Sequence, residues 1–157
     1  MLLTITKLSA ITIQSAPAIK AVAAIEATLQ RQDAWSYQTI IDLLTQDSIQ
    51  LLVISQRDII VGYCLYQVMF EQAEILRIGT HPEYQRQGIA SQLLRSLHNA
   101  LELTQVESLL LEVRADNVPA IALYERQEFV TIHRRKGYYQ QPHQSAIDAL
   151  IMQLLYR

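Results

Sequence analysis

At Gly88 the hydrophobic period of this chain changes. Upstream, Glu74–Thr80 reads as a strand that ends at His81-Pro82. Downstream, Ile89, Leu93, Leu94, Leu97 and Leu101 fall on one face of a helix running to about Leu103. The short, nearly continuous apolar run Ser108–Val113 follows, as expected for the buried centre of a sheet. A strand, an amphipathic helix and a buried strand in that order make a crossover, which calls for a parallel strand pair within the sheet.

The rest of the chain fits around that unit. Thr4–Ile13 alternates loosely and reads as an opening strand. Pro17 starts an alanine-rich helix in which Ala18, Val22, Ile25 and Leu29 recur at helical spacing. Ser36 is placed to cap a second helix with Ile40, Ile41 and Leu44 on its buried face. Strand runs Gln50–Ser55 and Ile59–Phe70 flank the polar turn Gln56-Arg57-Asp58. Pro119–Gln127 reads as a short helix, Phe129–Arg134 and Ala146–Tyr156 as closing strands, and Lys136–Ser145 as the loop between them. The order β-α-α-β-β-β-α-β-α-β-β predicts an α/β protein with a mixed sheet. With no repeat or linker visible, residues 1–157 are expected to form one domain.

Composition excludes several classes. Half of the 157 residues are hydrophobic (50%) and the formal net charge is only -2, so the chain is not a disordered segment. That near-neutral charge argues against a nucleic-acid partner. No apolar stretch approaches the ~20 residues needed to span a bilayer, and Met1–Lys7 lacks the order of a secretory signal. Cys64 has no partner in the chain and sits in the apolar run Val61–Leu65, which points to a core residue and a cytoplasmic home. His81, His98, His133 and His143 are scattered without metal-ligand spacing, so no metal is expected.

Gln85-Arg86-Gln87-Gly88-Ile89-Ala90 lies between a strand and an amphipathic helix. A helix N-terminus exposes unpaired N–H groups and the positive end of a dipole, which suits a phosphate or pyrophosphate. Small residues at 88 and 90 let a ligand approach the backbone, and Arg86 adds charge. The competing reading is an ordinary turn that contains glycine. The absence of Gly-Lys-Ser/Thr speaks against a nucleotide triphosphate loop.

The stretch Ile78–Ala90 resembles the acetyl-CoA-binding motif of the GCN5-related N-acetyltransferase (GNAT) superfamily, Gln/Arg-x-x-Gly-x-Gly/Ala, filled here by Gln85, Gly88 and Ala90. Leu111–Asn117, Ala120–Tyr124 and Phe129 are similar to the RimI-type branch, as are Arg134–Tyr139 and Asp148–Met152. That branch acetylates the N-terminal alanine of a ribosomal protein. The resemblance spans roughly 50–155; upstream it adds Trp35-Ser36. It implies a mostly antiparallel sheet, flanked by helices, whose two central parallel strands, Glu74–Thr80 and Ser108–Val113, splay apart. It further implies that a pantetheine arm meets Ile78, Gly79 and Thr80, and that Gln85, Arg86, Gln87, Gly88, Ile89 and Ala90 hold the pyrophosphate.

The implied reaction is attack of a neutral amine on a thioester, with acetyl-CoA as co-substrate. A protein α-amine, with a pKa near ~8 against ~10.4 for lysine, deprotonates more readily at neutral pH. Glu112 is the candidate base; its alternative is a strand-end glutamate paired with Arg114 or Arg77. Tyr124 is the candidate acid for the departing thiolate and a candidate cofactor contact; its alternative is core packing at helical spacing from Ile121. Asn117 either caps its helix or reaches the cofactor arm, or both. An amide N–H near Ile78 is expected to polarise the thioester carbonyl.

Substrate contacts are expected from Trp35, Tyr138 and Tyr139. The two tyrosines sit beside Arg134, Arg135 and Lys136, and adjacent side chains on an extended chain point to opposite sides, one to pack and one to face a peptide. The alternatives are a solvated basic loop and, for Trp35, core filling. Where the branch has Glu-Asp-Ala before its last strand, this chain has Ile147-Asp148-Ala149. The expected activity is N-terminal acetylation of a protein, a ribosomal protein by resemblance, by a monomer or weak dimer. Acetylation of a small-molecule amine or a protein lysine, and a non-catalytic CoA-binding regulatory domain, are the competing functions.

Overall fold

The computed structural model describes residues 3–8, 15–30 and 32–156. Strands β1 (Leu3–Leu8), β2 (Ile49–Gln56), β3 (Ile59–Met69), β4 (Gln72–Thr80), β5 (Ser108–Arg114), β6 (Val130–Tyr139) and β7 (Ile147–Leu155) form one sheet, ordered β1-β2-β3-β4-β5-β7-β6. Neighbours are antiparallel except β4 and β5, which run parallel. The helices are α1 (Ala16–Leu29), α2 (Tyr37–Leu44), α3 (Ile89–Glu102) and α4 (Val118–Arg126). Element order and the mixed α/β class match the sequence reading. The opening strand covers Leu3–Leu8; the remainder of the expected strand, 9–13, lies outside the described residues.

Alternation along β2 and β3 explains the layering. Leu52, Ile54, Cys64 and Tyr66 pack into one core with Leu93, Leu94 and Leu97 of α3. Leu51, Val53, Tyr63 and Leu65 point the other way, into a second core with Ile19, Val22 and Ile25 of α1 and Ile40 and Leu44 of α2. Strands apolar on both faces demand helices on both faces. The β2–β3 hairpin closes through Arg57 (φ 52) and Asp58 (φ 65), consecutive left-handed residues whose twist suits a two-residue turn. Ser36 caps α2, its Oγ accepting from the Thr39 N–H at 3.2 Å.

Two features depart from the sequence reading. On α1 the buried positions are Ile19, Val22, Ile25 and Glu26, so the inward stripe is rotated from Ala18 and carries a carboxylate. The loop expected over Lys136–Ser145 is shorter, because β6 continues to Tyr139. The ladder shifts between Arg135, opposite Ala149, and Tyr139, opposite Ile147. Gly137 (φ 62) absorbs the extra residues in a bulge. Asp148 pins it: Oδ1 accepts from the Gly137 N–H at 2.8 Å and Oδ2 from Arg134 Nη1 at 2.6 Å.

Candidate active site

β4 and β5 pair at only three positions, Gln72–Ser108, Ala73–Leu109 and Glu74–Leu110, and then part. Leu76 is an extra residue in β4 between Ile75, opposite Tyr66, and Arg77, opposite Leu65. Such a bulge bends its strand and shifts the facing of the residues that follow. Ile75 and, past the bulge, Ile78 pack on the α3 side, whereas Arg77 and Gly79 turn toward α1.

The gap is a cleft of about 570 Å³. Its walls are Glu74–Ile78 and Leu111–Arg114; Asn117 just before α4, Tyr124 of α4, Arg135, Tyr138 and Tyr139 of β6, and Gln30, Asp33 and Trp35 after α1 complete it. Backbone groups along the diverging edges have no ladder partner across the gap, so they can pair with an extended, amide-bearing ligand. A second cavity, about 550 Å³, shares Gln30, Asp33 and Arg114 with the first and continues along Gln140, Gln141 and Gln144.

Glu112 projects into the cleft from β5, half-buried. Its Oε2 accepts from the Tyr139 hydroxyl at 3.0 Å and its Oε1 lies 3.8 Å from Arg135 Nη1. Neither partner is the one sequence suggested. Arg114 instead forks onto Asp116, with Nε to Oδ1 and Nη2 to Oδ2 both at 3.1 Å, and Arg77 is engaged across the sheet. Burial, and then the bond to Glu112, push the Tyr139 phenol well above its usual pKa, so it remains a donor.

Tyr124 is 6% exposed, packs edge-on to Phe129 with centroids 5.8 Å apart, and still lines the cleft. Burial raises its pKa above the usual phenol range. Packing and a cleft position therefore coexist. Asn117 caps α4, Oδ1 accepting from the Ala120 N–H at 3.3 Å, and also reaches the cleft. Tyr138 and Tyr139 lie in a strand, not a loop, and the bulge at Gly137 brings them together. Their rings meet edge-on at 5.2 Å and both line the cleft, against the expectation of opposite sides.

Ile78 and Trp35 also reach the cleft, whereas Gly79, Thr80, Gln85, Arg86, Gln87, Gly88, Ile89 and Ala90 lie outside its lining. These residues form the end of β4 and the turn into α3. Gln85 Nε2 donates to the Thr80 carbonyl at 3.4 Å, and Arg86 (φ 63) and Gly88 (φ 81) turn the backbone. Gly88 is the N-cap of α3; no side chain caps the helix there, and a Cβ at Gly88 would meet nothing within 4 Å. The first-turn amides of α3 are thus available to an anion.

Sequence reasoning missed the cluster behind Trp35. Glu26 is completely buried; its Oε1 accepts from the Tyr63 hydroxyl at 2.6 Å and its Oε2 from the Trp35 N–H at 2.9 Å, with Arg77 Nε 3.5 Å away. Arg77 stacks its guanidinium 4.4 Å from the Trp35 ring centroid and donates from Nη2 to the Asp33 carbonyl at 2.9 Å. The available signal was a carboxylate on the apolar spacing Ile19-Val22-Glu26-Leu29.

The Acetyltransferase (GNAT) family model matches residues 17–129. A ribosomal protein bS18-alanine N-acetyltransferase of Haemophilus ducreyi is 35% identical over 100 residues, covering 64% of this chain and 69% of that protein. Its namesake from Escherichia coli is 39% identical over 101 residues, covering 64% and 68%. A crystal structure of a ribosomal-protein-alanine N-acetyltransferase from Escherichia coli superposes with a TM-score of 0.83 at 33% identity, covering 98% of this chain and 94% of that one.

Proposed function

This chain belongs to the GNAT acetyltransferase family, and from that premise we propose that it transfers the acetyl group of acetyl-CoA to the α-amine of a ribosomal protein that begins with alanine. The observation that carries the reading is the cleft between β4 and β5, where Glu112 and Tyr124 line one space that continues into a second cavity. A lone small amine needs no such continuation; a peptide does. The charged lining supports the same choice: Asp33, Glu74 and Glu112 are balanced by Arg77, Arg114 and Arg135, a poor trap for a polycation.

The fit to acetyl-CoA rests on the uncapped N-terminus of α3 and on the unpaired strand edges of the cleft. In our reading the amides of the Arg86–Ala90 turn hold the pyrophosphate, with Arg86 adding charge, and the β4 edge at Ile78–Thr80 receives the pantetheine amides. When bound, the co-substrate supplies a thioester carbonyl carbon open to attack by an amine. Glu112 takes the proton that the α-amine loses as the carbon–nitrogen bond forms and passes it to solvent. Tyr139 orients that carboxylate. Tyr124, held protonated by burial, gives its proton to the departing sulfur, whose basicity the same dry surroundings raise, and regains one from solvent once the thiol has left. Asn117 fixes the start of α4 and with it the Tyr124 ring.

The single sheet from Leu3 to Leu155 supports one catalytic domain. Activity as a monomer or weak dimer is part of the same proposal. No helix among the described residues is long and apolar enough to cross a membrane; with the buried free thiol of Cys64, this supports work in the cytoplasm. The test is thiol release from acetyl-CoA with peptides that begin with alanine, serine or methionine, an N-blocked peptide carrying an internal lysine, and a polyamine. The alanine peptide should be turned over fastest. Fastest turnover of the lysine peptide or the polyamine would overturn the substrate assignment.

A further inference from the structure

Among the described residues Glu26 is the only charged side chain that is completely buried. A carboxylate in that position is costly unless its oxygens are paired. Nothing in the packing of the α1-side core calls for one, since the neighbouring stripe positions Ile19, Val22 and Ile25 are apolar. What Glu26 holds is informative. Its Oε2 accepts the Trp35 N–H at 2.9 Å, nine residues on, drawing the segment after α1 back against the sheet. The same oxygen faces Arg77 Nε at 3.5 Å, and Oε1 is taken by the Tyr63 hydroxyl at 2.6 Å. Arg77 in turn stacks on Trp35 and donates to the Asp33 carbonyl. Trp35, Arg77 and Asp33 all line the cleft, whereas Glu26 does not touch it.

We infer that Glu26 is a positioning residue for the amine-bearing substrate: it holds Trp35 and Arg77 in the cleft wall and so sets the affinity for the acceptor without touching it. This rests on the reading of the cleft as the site of acetyl transfer to a peptide. Among the described residues Nη1 of Arg77 has no hydrogen-bond partner, which leaves a donor for a carbonyl of the acceptor. The wall lies on the α1 side of β4, whereas the uncapped α3 N-terminus proposed for the pyrophosphate lies beyond the end of that strand. Loss of Glu26 therefore acts on the acceptor and spares acetyl-CoA. A residue that merely stabilises the fold would lower the active fraction and leave both affinities alone.

Steady-state kinetics of the full chain with an alanine-led peptide separate these outcomes. Glu26→Gln keeps the size of the side chain and removes its charge. The expected result is a peptide KM raised about tenfold with the acetyl-CoA KM within about twofold of the parent value. Arg77→Lys, which keeps charge and loses the fork and the stacking on Trp35, should move the peptide KM in the same direction. If Glu26→Gln yields no folded protein, Tyr63→Phe carries the test: Tyr63 lies outside the cleft lining, its hydroxyl donates to Glu26 Oε1 at 2.6 Å, and loss of that bond should raise the peptide KM with the acetyl-CoA KM unchanged. A lower kcat or melting temperature with both KM values unchanged in the folded variants overturns the inference. If the parent protein acetylates no peptide, the proposed function falls and this inference falls with it; if the parent is active and only the KM shift is missing, the inference alone falls.

Discussion

The Tyr139 hydroxyl reaches from the edge strand β6, past β7, to donate a 3.0 Å hydrogen bond to Glu112 on β5. Glu112 thus faces the cleft with one oxygen oriented by a neutral donor and the other near Arg135. Glu112→Gln should lower kcat by about 100-fold or more while acetyl-CoA binding changes little. Tyr139→Phe should give a smaller loss, because the carboxylate stays and only its orientation is relaxed. Single-turnover kinetics beside calorimetric acetyl-CoA titration check both; near-normal turnover of Glu112→Gln would remove that residue from the mechanism.

Tyr124 combines burial with a place on the cleft wall. Tyr124→Phe keeps the ring packed on Phe129 and deletes only the hydroxyl, so the melting temperature should hold while turnover falls by about 10²-fold. If turnover stays within a few-fold of the parent, the ring is packing alone and the proton comes from elsewhere.

Gly79 leaves room for the Tyr63 side chain. A Cβ there would lie 2.7 Å from the Tyr63 hydroxyl and 2.7 Å from Leu29 Cδ1. Gly79→Ala should therefore destabilise the protein by about 1–3 kcal/mol. Because Tyr63 is displaced from Glu26, the variant should also weaken the peptide acceptor. Urea unfolding and peptide KM together read it, and parental values of both would show that the site relaxes freely.

His98 lies half-buried against Tyr156, Nδ1 2.8 Å from the hydroxyl, and burial lowers its pKa against the opposing pull of Glu102. In the unfolded chain a histidine takes up its proton near pH ~6.5, so below that pH the unfolded state binds more protons than the native state. Stability should decline as pH falls through the unfolded-state value towards the lower native-state pKa, and level off below it. His98→Phe should flatten that decline in thermal melts taken across the range. An unchanged slope would assign it to other groups.

Local patterns were legible and distant pairings were not. The α3 stripe of Ile89, Leu93, Leu94, Leu97 and Leu101 is buried throughout, because helical spacing alone records which face turns inward. The turn Gln85–Ala90 and the cap at Ser36 were equally local. β6 reads as ending early because Lys136-Gly137-Tyr138 has the composition of a loop; what keeps it a strand is Asp148, eleven residues from Gly137 in sequence and beside it in space. The branch's missing glutamate at 147 is likewise a spatial matter, since Ile147 simply pairs with Tyr139 while Asp148 does the anchoring. The partner of Glu112 depends on the β5-β7-β6 order, which no spacing reveals. Glu26 lies off a helical stripe that runs through Ala18, whereas the stripe that is buried runs through Ile19 and includes it.

The most direct test is where the acetyl group goes. An alanine-led peptide that also carries an internal lysine is incubated with the protein and acetyl-CoA, and its fragment masses are read. The account predicts a single acetyl group on the α-amine, lost when Glu112 is replaced by glutamine. Acetyl on the lysine with the α-amine untouched would contradict it.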